Sequence, residues 1–280
     1  VLIVARLTIE EASRRRVLWV LVGLAVVAVA LVTWGMDRLV SLIRDQGEAE
    51  LQVKIVVSQV LIFIAFMFSF VLAMTSAFLG APAIALDLES GIAQAMLARP
   101  LRRSSYLLGR WLGLVIVVVG YAIGAGLLAL AAAAWVSGYS PPSLIVPIGY
   151  LAVQAIVLMT FALMLSTRLS PIAGGAICVV AYGLAWMAGV LGDIGATLHA
   201  SGVAAIGDLG HLIMPTDGLW RGVIYGLEPS IVIATVGGTP AAASPFFASE
   251  PPSQAFLAWT VVWLALILVV AISQLRRREL

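Results

Sequence analysis

The amino-acid sequence predicts an all-α integral membrane protein with six transmembrane helices. Of 280 residues, 62% are hydrophobic and 11% are charged, and the mean hydropathy is +1.10. A soluble domain carries about 25% charged and about 45–50% apolar residues. This chain lacks the polar groups to cover its surface in water. Its apolar runs also reach the roughly 20 residues that a helix needs to cross a bilayer. Finally, its basic residues segregate to alternate loops, as the positive-inside rule requires.

The chain reads as a single domain, 1–280. Its first sixteen residues suit a helix lying on the membrane surface. Leu2, Ala5, Ile9 and Ala12 recur at helical spacing. Glu10→Arg14 and Glu11→Arg15 are i,i+4 pairs in the favoured orientation. The same stretch also reads as an ordinary charged flank of the first span, about 17–36. A signal peptide is the competing reading, with Ala28-Val29-Ala30 as cleavage triplet. The apolar run continues to Met36, which favours a retained span.

The run Ile55–Leu86 is longer than one span needs, and Pro82 is expected to end its helix, placing the second span at about 55–82. Trp111–Thr167 is too long for one helix. Ser137-Gly138-Tyr139-Ser140-Pro141-Pro142 divides it into spans at about 107–136 and 144–167. The fifth and sixth spans are expected at about 170–192 and 255–275. Gly109/Gly113 and Gly120/Gly124 on the third span are G-x-x-x-G pairs that permit close packing, as do Gly174, Gly175 and Gly183.

With both ends in the cytoplasm, the inner side holds Arg6, Arg14, Arg15, Arg16, Arg99, Arg102, Arg103, Arg110, Arg168, Arg276, Arg277 and Arg278. The outer side holds only Arg38, Arg44, Lys54 and Arg221. An odd number of spans would move Arg276–Arg278 outside and weaken the bias. Trp19, Trp34, Trp111, Trp135 and Trp259 fall near span ends, where interfacial anchors belong. These observations predict a multi-pass protein of a bacterial-type inner membrane.

The outer segment 193–254 mixes apolar and polar stretches. Thr216 or Asp217 can cap a helix in which Trp220, Val223 and Leu227 form an apolar stripe. Val203–Met214 is amphipathic and could re-enter the bilayer if protein covers it. Residues 237–253 read as a loop. His199, Asp208, His211 and Asp217 have no metal-motif spacing and are expected to be solvated loop residues. No metal site is predicted.

The segment Asp87–Arg110 joins the second and third spans. Leu88, Ile92 and Met96 share one helical face, with Ser90 and Gln94 between them. Asp87 and Glu89 are expected at the start of a short helix, 87–98, where the dipole favours acids. Arg99 and Pro100 end it. Arg102 and Arg103 are expected to hold the chain at the anionic inner surface. Taken by itself this is also an acceptable positive-inside loop.

The order of residues here, Glu89, Gly91, Ile92, then Pro100, Arg102 or Arg103, Tyr106, Leu107, Leu108, Gly109 and Arg110, resembles the permease subunits of type-2 ABC transporters. The outer Pro215, Thr216, Asp217, Leu219, Trp220 and Arg221 strengthen that resemblance, and the span layout extends it over the whole chain. Ile92 departs from the Thr common in the family. Exporter permeases and those that assist nitrous-oxide-reductase maturation look similar at both motifs. The resemblance implies a permease half of an ATP-driven exporter. It implies a second permease, identical or homologous, and two copies of an ABC ATPase subunit. The coupling helix, 87–98, would dock in the ATPase, and cargo would pass between the permease halves beside the second and fifth spans.

ATP and Mg would then be bound by the partner, with no cofactor on this chain. A Walker A loop needs a Lys after a Gly-rich turn, and the sole lysine, Lys54, has none before it. The charge-free spans carry no pair of ionisable residues, which argues against an intramembrane enzyme and leaves no catalytic residue to name. Thr75, Ser76, Gln154, Thr160 and Ser166 are the polar groups that an ion-coupled secondary transporter, the main alternative, would have to use. One cysteine, Cys178, excludes a disulfide or zinc cluster within the chain. No basic stretch with interleaved aromatics points to nucleic acid.

Overall fold

The computed structural model describes residues 1–14, 16–45, 50–92, 102–138, 141–236 and 244–278. Among them the chain is helical, without strands. Helix α1 (Leu2–Arg14) leads into α2 (Arg16–Asp45), followed by α3 (Glu50–Gly80) and α4 (Pro82–Glu89). Then come α5 (Arg103–Ser137), α6 (Ile145–Ser166) and α7 (Pro171–Thr197). Shorter helices α8 (Ser201–Ile213), α9 (Thr216–Leu227) and α10 (Ser230–Val236) precede α11 (Gln254–Arg276). Six helical stretches are long and apolar enough to span a membrane: α2, α3 with α4, α5, α6, α7 and α11.

The centre of the bundle is α6. Ala155, Val157, Leu158, Met159, Ala162 and Leu163 are all fully enclosed, between α3, α5, α9 and α11. Apolar burial alone does not hold such a core together, because lipid is as apolar as the neighbouring helix. Close contact between small residues contributes instead. A Cβ on Gly80 would lie 2.7 Å from the Ala162 Cβ, so only glycine lets α3 approach α6 there.

Two punctuation marks behave differently. Gly138 takes a left-handed φ of 69° and ends α5 as the sequence predicts. Pro82 does not end the second span. Ala81 stays in the right-handed helical region, its amide bonds the Ala77 carbonyl at 2.9 Å, and helix resumes at Pro82. Proline is tolerated at the first position of a helix, where its missing N–H would have no helical partner.

The chain end of α4 corrects a second expectation. Asp87 and Glu89 form the last turn of a helix that began at Pro82, not the first turn of a new one. Ser90 closes it, and Gly91 turns the chain out at φ 75°. Gln94, Met96, Arg99 and Pro100 lie outside the described residues.

The glycine pairs also part company. On α5, a Cβ at Gly109 would meet Val4 Cβ at 2.6 Å, and one at Gly113 would meet the Ala5 carbonyl at 2.7 Å. This pair seats α1 against α5. Gly120, Gly124 and Gly183 have open space in front of them, and Gly174 and Gly175 make ordinary contacts with Ala81.

Candidate functional site

At the end of the bundle that carries both chain termini, three helices meet around Arg110. Its guanidinium donates to Asp87, from Nε at 3.0 Å and also from Nη2, and to Glu11 from Nη1. The Tyr106 hydroxyl donates to the same Asp87 carboxylate. Asp87, Tyr106 and Arg110 are buried. A buried charge is costly unless it is paired and hydrogen-bonded, and here the cation has a carboxylate on each side. Helix geometry explains the arrangement: Tyr106 and Arg110 stand one turn apart on α5, facing the last turn of α4. Glu11 is supplied by α1, which the glycine pair draws in close.

Along α1, Glu10 does not follow the expected pairing with Arg14. Glu10 pairs with Arg6 at 3.0 Å, and Glu11 reaches across to Arg110. Arg15 lies outside the described residues. Beyond the knot, the side chains of Glu89, Ser90 and Ile92 are exposed, while Leu88 is half-buried. The knot therefore lies directly before an exposed stretch that begins at Glu89.

Arg103 performs a different task from the lipid anchoring expected of it. Its Nη1 donates to the carbonyls of Leu275, Arg276 and Arg278 at 3.2, 2.9 and 2.7 Å. A cation there satisfies unpaired carbonyls and the negative end of the α11 dipole. Arg278 Nη1 donates to the Thr167 carbonyl at 2.6 Å, and the Thr167 hydroxyl donates to Gln274 at 2.5 Å. Arg102 is exposed just before α5.

The opposite end carries a second arginine knot. Arg221 Nη1 and Nη2 each donate to Asp193 at 2.6 Å, its Nε donates to Asp217 at 3.0 Å, and Nη2 also reaches the Gly189 carbonyl at 3.2 Å. His211 Nε2 lies 2.9 Å from the same Asp217 oxygen. Asp217 is 3% exposed, and a Cβ on Gly189 would sit 2.0 Å from its carboxylate. These are not solvated loop residues. His199 and Asp208 take no part in the knot and are exposed. Nor does Asp217 or Thr216 cap α9. Pro215 occupies the capping position without a side-chain bond, and the buried Thr216 hydroxyl has no hydrogen-bond partner among the described residues. The stripe Trp220, Val223 and Leu227 is buried, with the Trp220 indole donating to the Pro245 carbonyl at 3.2 Å.

The hairpin that holds this knot is packed through glycine. A Cβ on Gly192 would lie 2.8 Å from the Gly207 Cα, and one on Gly195 only 2.4 Å from the Ala204 amide. Sequence reasoning missed this contact. Its signal was the spacing Gly189, Gly192, Gly195 facing Gly207 and Gly210. The carbonyls of Leu212 and Ile213, at the end of α8, accept from the Trp259 and Trp263 indoles at 3.2 and 2.8 Å. Trp263 lies nine residues into α11, about 14 Å along its axis. The α8–α9 turn therefore sits alongside the spans, with its backbone groups covered by protein.

Halfway along the bundle, the Ser69 hydroxyl donates to Gln154 Oε1 at 2.9 Å and lies 2.9 Å from the Tyr182 hydroxyl. This ties α3, α6 and α7 together. Among the described residues no group of three His, Cys, Asp or Glu side chains is placed to hold a metal.

No curated protein matches the chain. A family model described as ABC-2 family transporter protein matches residues 2–280. With six apolar spans and that match over almost its whole length, the chain belongs to the ABC-2 transporter family as a multi-pass membrane component.

Proposed function

We propose that the chain is the permease subunit of an ATP-binding-cassette exporter, driven by a separate ATPase that docks on the segment following Asp87. Both termini then lie in the cytoplasm, and the Arg221 knot lies on the outer side. The observation that carries this reading is the Arg110 knot. It fastens the root of the 87–100 segment to α1 and α5 at once, while Glu89, Ser90 and Ile92 face outward. A push on Glu89, Ser90 or Ile92 is thereby passed to the second and third spans as well as to the N-terminal helix. Asp87 acts from inside, as a support; Glu89, Ser90, Gly91 and Ile92, with Gln94, Met96, Arg99 and Pro100 beyond them, are the docking residues. The family match supports the transporter class. Two permeases, identical or homologous, and two ATPases complete the assembly, with cargo passing between the permease halves.

The test is charge reversal at Glu89 and Gly91→Pro in the assembled transporter. Proline holds φ near −65°, whereas Gly91 sits at +75°. Both variants should insert normally yet lose transport relative to ATP hydrolysis. Transport that follows a proton or sodium gradient without ATP would exclude the proposal.

A further inference from the structure

A well-formed apolar void lies away from both knots. A cavity of about 350 Å³ opens between α2, α3, α5 and α6, roofed by Val223 and Leu227 of α9. Its wall is apolar: Leu24, Ala28 and Val32 of α2 face Ala125 and Ala129 of α5. That is about twice the roughly 150 Å³ of an engineered apolar cavity that stays dry and admits benzene. A void of this size leaves its lining without dispersion partners, and the surrounding solvent is hydrocarbon.

The seam between α2 and α5 continues past the cavity toward the end of the spans opposite the chain termini. A narrow pocket bounded by Val29, Val32, Met36, Ala129 and Ala133 comes next. Then the seam widens into an open notch of about 540 Å³ bordered by Thr33, Trp34, Asp37 and Trp135. Trp34 and Trp135 are 64% and 91% exposed. Apolar volume thus passes, along one pair of helices, into an interfacial notch with two indoles and a carboxylate. Indole faces attract cations, ammonium groups among them, and Asp37 adds a full negative charge.

We infer that this seam holds a resident phospholipid with an amine headgroup, its acyl chain filling the cavity and its ammonium lying in the notch between Trp34, Trp135 and Asp37. The site is built from α2, α3, α5 and α6 of one chain. It would persist if the ATP-coupling proposal failed.

The experiment reconstitutes the chain in phosphatidylglycerol vesicles. These contain a trace of phosphatidylethanolamine bearing a photoreactive group on its acyl chain or, in a parallel arm, phosphatidylglycerol with the same chain. Adducts are mapped by mass spectrometry. Phosphatidylethanolamine adducts should concentrate on Ala28, Ala125 and Ala129, well above those on the lipid-exposed Val262 and Val269 of α11. Asp37→Asn should lower the cavity adducts of phosphatidylethanolamine roughly two- to fivefold, the scale of an exposed ion pair, and leave those of phosphatidylglycerol unchanged. Ala28→Phe combined with Ala125→Phe should remove cavity adducts while α11 adducts remain. The wild-type map and the surface variant Asp37→Asn decide the matter even if the double variant fails to fold. Equal labelling of cavity and α11, or equal labelling by the two lipids, would overturn the inference. So would a cavity label that is exchanged when ATP is hydrolysed in the assembled transporter, since the lipid would then be cargo.

Discussion

The two ends of the molecule solve one electrostatic problem with the same parts. Each places an arginine between two carboxylates where water is scarce: Arg110 between Asp87 and Glu11, Arg221 between Asp193 and Asp217. What they join differs. The Arg221 knot closes a local hairpin whose helices already touch through glycine. The Arg110 knot joins α1, α4 and α5, which are distant in sequence, next to a segment that faces outward. Under the coupling proposal, the first arrangement stiffens a fold and the second is placed to carry motion.

Substituting each arginine gives the largest expected effects and the sharpest contrast. Arg221→Ala takes the guanidinium away from Asp193 and Asp217, and should cost about 3–5 kcal/mol. Thermal unfolding in detergent would show it, with no specific change in the ratio of ATP hydrolysis to transport. Arg110→Ala strands Asp87 and should destabilise on a similar scale, about 3–5 kcal/mol, but also raise ATP hydrolysis per transport event. If both variants behave alike, the mechanical distinction between the ends fails.

Gly113→Leu tests whether α1 must lie against α5 for Glu11 to reach Arg110. The added side chain would collide with the Ala5 carbonyl and Thr8, and overpacking of this kind costs about 1–3 kcal/mol. Coupling should weaken, as judged by transport per ATP. Gly120→Leu, with open space ahead of it, should change neither quantity.

Glu228 gives the Arg221 end of the bundle a pH dependence. It is 1% exposed, and burial lifts its carboxyl from the ordinary 4.5 to about 7. The Ala248 amide and Gln59, at 3.4 and 3.5 Å, offset only part of that shift. A raised pKa means that its stability contribution is fully present below about pH 4.5 and lost as pH rises through about 7. Glu228→Gln should flatten the decline in Tm across that window; an unchanged profile would assign the slope to other groups. The smallest effect is expected from Glu11→Gln. Glu11 is 42% exposed, so the substitution should cost only about 0–1 kcal/mol while still loosening α1.

Membrane placement was readable from residues because it depends on local composition: twenty apolar positions make a span whatever lies beside them. The Gly138 stop was readable for the same reason, since a left-handed residue is a local demand. Pro82 misled because a proline that opens a helix and one that ends a helix look alike until the preceding backbone is known. The site residues were found more readily than their roles. Asp87, Tyr106, Arg110, Asp217 and Arg221 stood out by pattern, but assigning Asp87 to a helix start and Asp217 to a solvated loop ignored which charges would face them. The pairing of Gly113 with α1, and the open space before Gly124, cannot be told apart in a linear string because both glycines sit in similar apolar helix.

By itself, then, the sequence determined that this protein crosses the membrane as six helices and that it resembles an ABC-2 permease, because hydropathy, charge placement and motif order are properties of the chain. Tertiary structure alone decided which acid meets which arginine, which glycine makes a contact, and where an apolar void remains between the spans. Those outcomes depend on helices separated by a hundred residues or more, as Ala5 and Gly113 are, and no local rule specifies how such helices are turned toward one another.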